Sequence, residues 1–219
     1  MTHIFISGAS SGLGSSLYNE LIKKDVIITV IGRKPPLELR PKDNFILMDL
    51  SQKIEIKLTI DRNASKIIFI SNAGIIEPIK LATDVDIDLL KINHQVNFVG
   101  PFMIAKELTK ITSKKNINLH IINISSGASN KAIGGWSAYC SSKAAVKIAL
   151  DCLEKENNHV NIEHINPGGL DTEMQKKIRS SDEKDMQNRQ DFINLYKEGL
   201  LKKPKLAASE IVDQVEKYF

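Results

Sequence analysis

Hydrophobic residues in this chain recur with two different periods. Short, nearly continuous apolar runs rich in Ile and Val appear at "HIFIS" (3–7), "VIITVI" (26–31), "FILM" (45–48), "KIIFIS" (66–71), "LHIINIS" (119–125) and "VNIEHI" (160–165). Runs of this length predict strands buried on both faces, as in a parallel sheet. Between them, apolar residues fall three and four apart over 13–24, 84–92, 98–113, 138–156 and 207–218, which predicts amphipathic helices. Strands alternating with helices imply right-handed crossovers and a doubly wound α/β sheet with helices on both faces.

The 219 residues suffice for one domain with a closed core, 1–219, with no repeat, low-complexity tract or linker. Residues 173–205 are polar, charged and poor in β-formers, and read as a helical substrate-loop region or lid rather than a second domain. No apolar run is long enough to span a bilayer, and the N-terminus lacks the layout of a secretory signal. Cys140 and Cys152 fall in one predicted helix and read as reduced thiols, so a cytoplasmic location is expected. The formal net charge of +4 is mild and the basic residues are interspersed with acidic ones, arguing against a nucleic-acid or membrane partner. No metal site is expected.

Two local patterns carry chemistry. The first strand runs into "SGASSGLG" (7–14), where Gly8, Gly12 and Gly14 allow a sharp turn and close approach of a ligand. The helix that follows opens with unpaired N–H groups and a positive dipole end, which suit a pyrophosphate. A plain Gly/Ser-rich turn has the same composition. In "SAYCSSKAAV" (137–146), Tyr139 and Lys143 stand one helical turn apart on one face. An ordinary surface pair has that spacing too.

Taken in order, the glycine turn, "SNAG" (71–74), "NFVGPF" (97–102), "INISS" (122–126), "YCSSK" (139–143) and "NPGGLDTEM" (166–174) resemble the short-chain dehydrogenase/reductase family over about residues 3–175. The resemblance implies a Rossmann-like sheet of seven strands, a nicotinamide cofactor and hydride transfer at a carbonyl carbon. It implies Tyr139 as general acid/base, Lys143 as the group that lowers the phenol pKa and holds the nicotinamide ribose, Ser126 as the substrate-oxygen partner and Asn97 in a proton relay through water. Ser125 and Asn93 remain alternatives to the last two. A nearby ammonium favours a phenolate, so the pair makes chemical sense. The resemblance further assigns cofactor contacts to Gly8, Ser10, Ser11, Gly12, Leu13 and Gly14. Beyond the glycine turn it assigns Asp49 and Leu50 beside the adenine, and Asn72, Ala73 and Gly74 beside the adenosine ribose. Pro167, Gly168 and Thr172 fall in the loop that covers the nicotinamide.

"YCSSKAA" and "PGGLDTEMQ" are similar to the sepiapterin reductase and benzil reductase branch, whose members reduce ketones and vicinal dicarbonyls. Trp136 and Met174 are candidate pocket residues. The chain ends at Phe219 without the family's usual last edge strand, so six strands are expected and a pterin substrate is not. The second strand ends in Gly32-Arg33, with Lys34 next and no acid before Glu38. NAD sites usually place an acid here for the ribose 2′-hydroxyl, whereas a guanidinium grips a 2′-phosphate. Arg33 therefore points to NADPH. The expected activity is NADPH-dependent reduction of a small carbonyl substrate. An NAD-dependent alcohol dehydrogenase and a non-catalytic dinucleotide sensor stand as alternatives. A homodimer through the helices at 98–113 and 138–156 is expected from the same resemblance.

Overall fold

The computed structural model describes residues 1–53 and 55–219. Six parallel strands form one sheet: β1 (Thr2–Ser7), β2 (Val26–Gly32), β3 (Asn44–Leu47), β4 (Lys66–Ser71), β5 (Asn118–Ile124) and β6 (Val160–Ile165). Their spatial order is β3-β2-β1-β4-β5-β6, the doubly wound arrangement that the alternating periods predict. No seventh strand is present among the described residues.

Side-chain alternation explains why the central strands β1, β2, β4 and β5 are largely apolar. Successive residues point to opposite faces, and both faces here are covered. Ile4 and Ile6 of β1, Ile68 and Ile70 of β4, and Ile122 and Ile124 of β5 pack toward α1 (Gly12–Leu21) and α7 (Pro204–Val215). Phe5, Ile67, Phe69, Leu119 and Ile121 pack the other way, toward α3 (Gly100–Lys115) and α4 (Ser137–Glu156). The helical faces match: Leu13, Leu17 and Leu21 from α1, and Val146, Leu150 and Leu153 from α4, lie in those two cores.

Helix boundaries move where capping chemistry overrides periodicity. The stretch 13–24 is helical only to Leu21, then turns tightly into β2. The predicted helix at 84–92 begins instead at Ile87, because Asp86 accepts from the amides of Asp88 and Leu89 as an N-cap; this is α2 (Ile87–His94). The helix expected at 207 starts at Pro204, whose fixed φ and missing N–H suit a first helical position. Region 173–205 holds α5 (Glu173–Arg179) and α6 (Arg189–Lys197). The predicted helix at 98–113 is entered through a π-helical turn, Gln95–Val99.

Strand order reverses between β1 and β4. Ligand crevices in such sheets open at the carboxyl ends of the strands flanking that reversal, which places Gly8 and Asn72–Gly74 at the mouth.

Candidate active site

The glycine turn is shaped by backbone crowding. Gly8 has φ +73°, and a Cβ there would lie 2.9 Å from the Ala73 Cα. A Cβ on Gly14 would lie 1.9 Å from the Gly8 carbonyl oxygen and 2.5 Å from Asn72 Nδ2. Asn72 Nδ2 donates to the carbonyls of Ser7 (3.1 Å) and Gly8 (2.8 Å), and Ser7 Oγ accepts from the amides of Asn72 and Ala73. These bonds lock the ends of β1 and β4 together. Ser11 caps α1 in an extended conformation, but its side chain makes no capping bond and the first turn carries no acid. The amides of Gly12, Leu13 and Gly14 have no protein partner among the described residues. Three free donors at a positive dipole end fit a diphosphate. Thr172 crosses this turn, its methyl 3.6 Å from where a Gly12 Cβ would stand, and Gly168 in the same loop has φ +77°. The glycine turn and the 167–172 loop are thus brought together.

Arg33 emerges beside the same turn, since a Cβ on Gly32 would lie 3.9 Å from the Gly8 nitrogen. Arg33 and Lys34 are exposed. Asp49 accepts from the Ser51 amide (2.9 Å) and hydroxyl (2.8 Å). Those two bonds, and then the Arg33 charge, hold its carboxyl below the ordinary range. Leu50 and Leu13 spend their side chains on the core, so any contact they make with a ligand runs through the backbone.

Tyr139 and Lys143 share one face of α4, both buried, with Lys143 Nζ 6.0 Å from the phenol ring centroid. Lys143 Nζ donates to the Ile124 carbonyl at 2.9 Å, which ties α4 to the end of β5 just before the two serines. Ser126 turns toward Tyr139, and its hydroxyl favours the phenolate. Ser125 turns away and donates to Ser129 Oγ at 3.2 Å.

Asn97 sits in the π-helical turn with its side chain fully engaged. Nδ2 donates to the Ile75 carbonyl (2.8 Å) and reaches Asn93 Oδ1 (3.0 Å) and Ser142 Oγ (3.2 Å); Oδ1 accepts from the Ile75 amide (2.9 Å). Asn93 is equally committed, donating to the Glu77 carbonyl at 2.7 Å. The two asparagines fix the 75–77 segment. A Cβ on Gly74 would lie 3.2 Å from Asn97 Oδ1 and 3.9 Å from Lys143 Nζ, so both groups converge on that glycine. Pro101, four residues after Asn97, has no N–H, which removes the α-helical partner of the Asn97 carbonyl.

A sequence model described as short chain dehydrogenase matches residues 2–183. The chain belongs to the short chain dehydrogenase family. Its relatives place it on the benzil reductase branch. It is 33% identical over 224 residues to benzil reductase ((S)-benzoin forming) of Bacillus subtilis, covering 97% of this chain and 92% of that protein. It is 29% identical to the enzyme of the same name from Bacillus cereus, covering 99% and 94%. The crystal structure of the KRED1-Pglu enzyme superimposes with a TM-score of 0.81 at 22% identity over 97% of this chain and 94% of that one, which shows the shared fold.

For this short chain dehydrogenase, one electrostatic expectation needs correction. Lys143 does not draw the Tyr139 phenol down in the protein alone. Burial pushes Tyr139 above its ordinary value and outweighs the lowering by Ser126. Lys143 is itself buried, and loss of solvent pulls it from 10.5 to about 8. Both shifts have one cause, the removal of water from a charged form.

Sequence reasoning missed two features. Ser142, inside the "YCSSK" stretch, joins the asparagine network by donating to Asn93 Oδ1 at 2.8 Å. Phe192 and Met186 join Trp136, Tyr139, Ile178 and Met174 in an apolar cluster over the phenol. Lys80 pairs with Asp185 at 2.6 Å, and Lys177 pairs with Glu77, fastening this region to the 77–80 segment. Among the described residues no helix is long and apolar enough to cross a membrane, and no cluster of three His, Cys, Asp or Glu suits a metal.

Proposed function

We propose that the protein is an NADPH-dependent carbonyl reductase with Tyr139 as general acid. The observation that carries this reading is the meeting of Tyr139, Ser126 and Lys143 beside a glycine turn with three unpartnered amides. The amides of Gly12, Leu13 and Gly14 would hold the diphosphate, Ser10 and Ser11 would add hydroxyls, Arg33 would take the 2′-phosphate, and Asp49 would face the adenine. NADPH, when bound, supplies the hydride. Ser126 donates to the substrate oxygen and fixes the carbonyl beside the phenol. Tyr139, kept protonated by burial, gives its proton to that oxygen as negative charge develops. Lys143, near 8, sits where it exchanges protons with water at neutral pH, and the Asn97 carbonyl is available to hold the connecting water.

A phenol held protonated favours the reductive direction over alcohol oxidation, which needs the phenolate. The relatives named as benzil reductases support the same direction. The test is NADPH oxidation, followed by absorbance, against ketones, diketones, quinones and aldehydes. Turnover with NADPH is expected, at least about tenfold better than with NADH, from the worth of one charge-assisted hydrogen bond. Turnover confined to NAD and alcohols, or none with any carbonyl, would refute the reading. We also propose a homodimer through α3 and α4, where Ile148 is 59% exposed; light scattering at micromolar concentration should give twice the chain mass, and a monomer or tetramer would refute it.

A further inference from the structure

Three polar side chains behind the candidate acid are buried outright: Asn93 and Ser142 are 0% exposed and Asn97 is 1% exposed. They form one network whose polarity is fixed by the backbone around it. Asn93 Nδ2 donates to the carbonyls of Glu77 (2.7 Å) and Ile75 (3.4 Å). Asn93 Oδ1 therefore faces the two donors on its other side, Asn97 Nδ2 at 3.0 Å and the Ser142 hydroxyl at 2.8 Å. Asn97 Oδ1 accepts from the Ile75 amide, which leaves Asn97 Nδ2 to donate to the Ile75 carbonyl. Ser142 Oγ also lies 3.0 Å from the Tyr139 carbonyl. The network thus ties three segments together: the helix running from α2 into the π-helical turn, residues 75–77, and α4 between Tyr139 and Lys143. A satisfied buried network holds one arrangement rigidly, and removing one member strands the others. Apolar side chains would fill the same space with no polar group to satisfy. What the network adds is a fixed place for Asn97, whose Oδ1 converges with Lys143 Nζ on Gly74.

We propose that Asn93 and Ser142 are positioning residues for the return of the proton to Tyr139: they hold Asn97 so that its main-chain carbonyl keeps its place on the path between Lys143 and water. The proposal rests on the carbonyl reductase reading. In each turnover the substrate carbon gains a hydride, its oxygen takes the Tyr139 proton, and a phenolate is left. That phenolate must regain a proton before the next turnover. The Lys143 ammonium supplies it and is itself restored from water. Pro101 leaves the Asn97 carbonyl without an α-helical partner, so this carbonyl is free to hold the water of the path, and the clamped side chain sets where it stands. The first turnover starts with the proton already on Tyr139 and does not draw on the path. Every later turnover does. A displacement of about 1 Å at such a group costs up to about a hundredfold in rate.

The test mixes the NADPH complex of each protein with an excess of a ketone that the wild type reduces, benzil first, and follows NADPH absorbance by stopped flow. Asn93→Leu should leave the first turnover and the NADPH Kd as in wild type, while steady-state kcat falls at least about tenfold. A burst of one NADPH per chain then precedes slow turnover. In D2O the kcat of the variant should fall by a larger factor than that of the wild type, because proton return has become the slow step. A steady-state kcat equal to wild type overturns the proposal. So does a first turnover that falls in parallel with kcat, which is what a general loosening of the site produces. Ser142→Ala removes a single atom and guards against a leucine variant that does not fold; it should show the same split, and its absence overturns the proposal. A wild type that oxidises NADPH with no carbonyl compound overturns the carbonyl reductase reading itself, a result distinct from an active wild type whose kcat survives both substitutions.

Discussion

Replacing Lys143 with methionine separates what the lysine does for chemistry from what it costs the fold. The side chain is 6% exposed, and burial lowers its pKa from 10.5 to about 8. At pH 7 folded and unfolded chains both hold the proton, so folding carries a charged ammonium into a site that resists it. At about 1.36 kcal/mol per pKa unit, the penalty is about 3 kcal/mol. Between about pH 8 and 10.5 the unfolded chain keeps a proton that the folded chain has released, so this group makes stability rise with pH across that window. Methionine fills a similar volume without charge. It leaves the Ile124 carbonyl without its 2.9 Å bond, at a cost of about 1–3 kcal/mol. The cofactor-free variant should therefore be more stable than wild type at pH 7 by about 1 kcal/mol. At pH 10 wild type has recovered most of the penalty and the order should reverse, a swing of about 2–3 kcal/mol. Urea unfolding of both proteins at the two pH values, followed by far-ultraviolet circular dichroism, measures the swing. A difference between the proteins that is the same at both pH values would refute the argument that burial governs Lys143.

Tyr139→Phe keeps the ring packing and removes the proton; turnover should fall by at least about two orders of magnitude while a fluorescence titration shows NADPH still binding. Gly14→Ala places a methyl against the Gly8 carbonyl and Asn72; thermal unfolding should report a loss of about 1–3 kcal/mol, and NADPH affinity should fall with it, whereas a stable variant binding normally would remove the cradle argument. Arg33→Asp should reduce or invert the preference for NADPH over NADH without abolishing turnover with NADH, as read from Kd values for both reduced cofactors; an unchanged preference takes Arg33 out of the 2′-phosphate site.

All six strands and the order of helices were legible in the sequence, because period and residue type are local properties and the central strands β1, β2, β4 and β5 are buried on both faces. The Tyr139–Lys143 spacing and the glycine turn were legible for the same reason: one helical turn and one βα junction set them. Helix ends were less so. Asp86 and Pro204 decide them by capping chemistry that a periodicity window averages away, and the π-helical turn at Gln95–Val99 leaves no periodic trace of its own.

Only the tertiary structure decided how the site is surrounded. The resemblance points to Ser126 with Ser125 as the alternative, and the end of β5 turns Ser125 to Ser129 and Ser126 to Tyr139. Trp136 and Phe192 lie 56 positions apart in the chain, yet their rings stand 5.2 Å apart because the fold brings α6 against the residue that precedes α4. The direction of the Tyr139 shift was likewise beyond the sequence. Spacing alone brings an ammonium near the phenol and suggests a lowered pKa. The sign depends on how much water both groups keep, and that is fixed by side chains from the segment after β4 and from α4, α5 and α6 closing over them together.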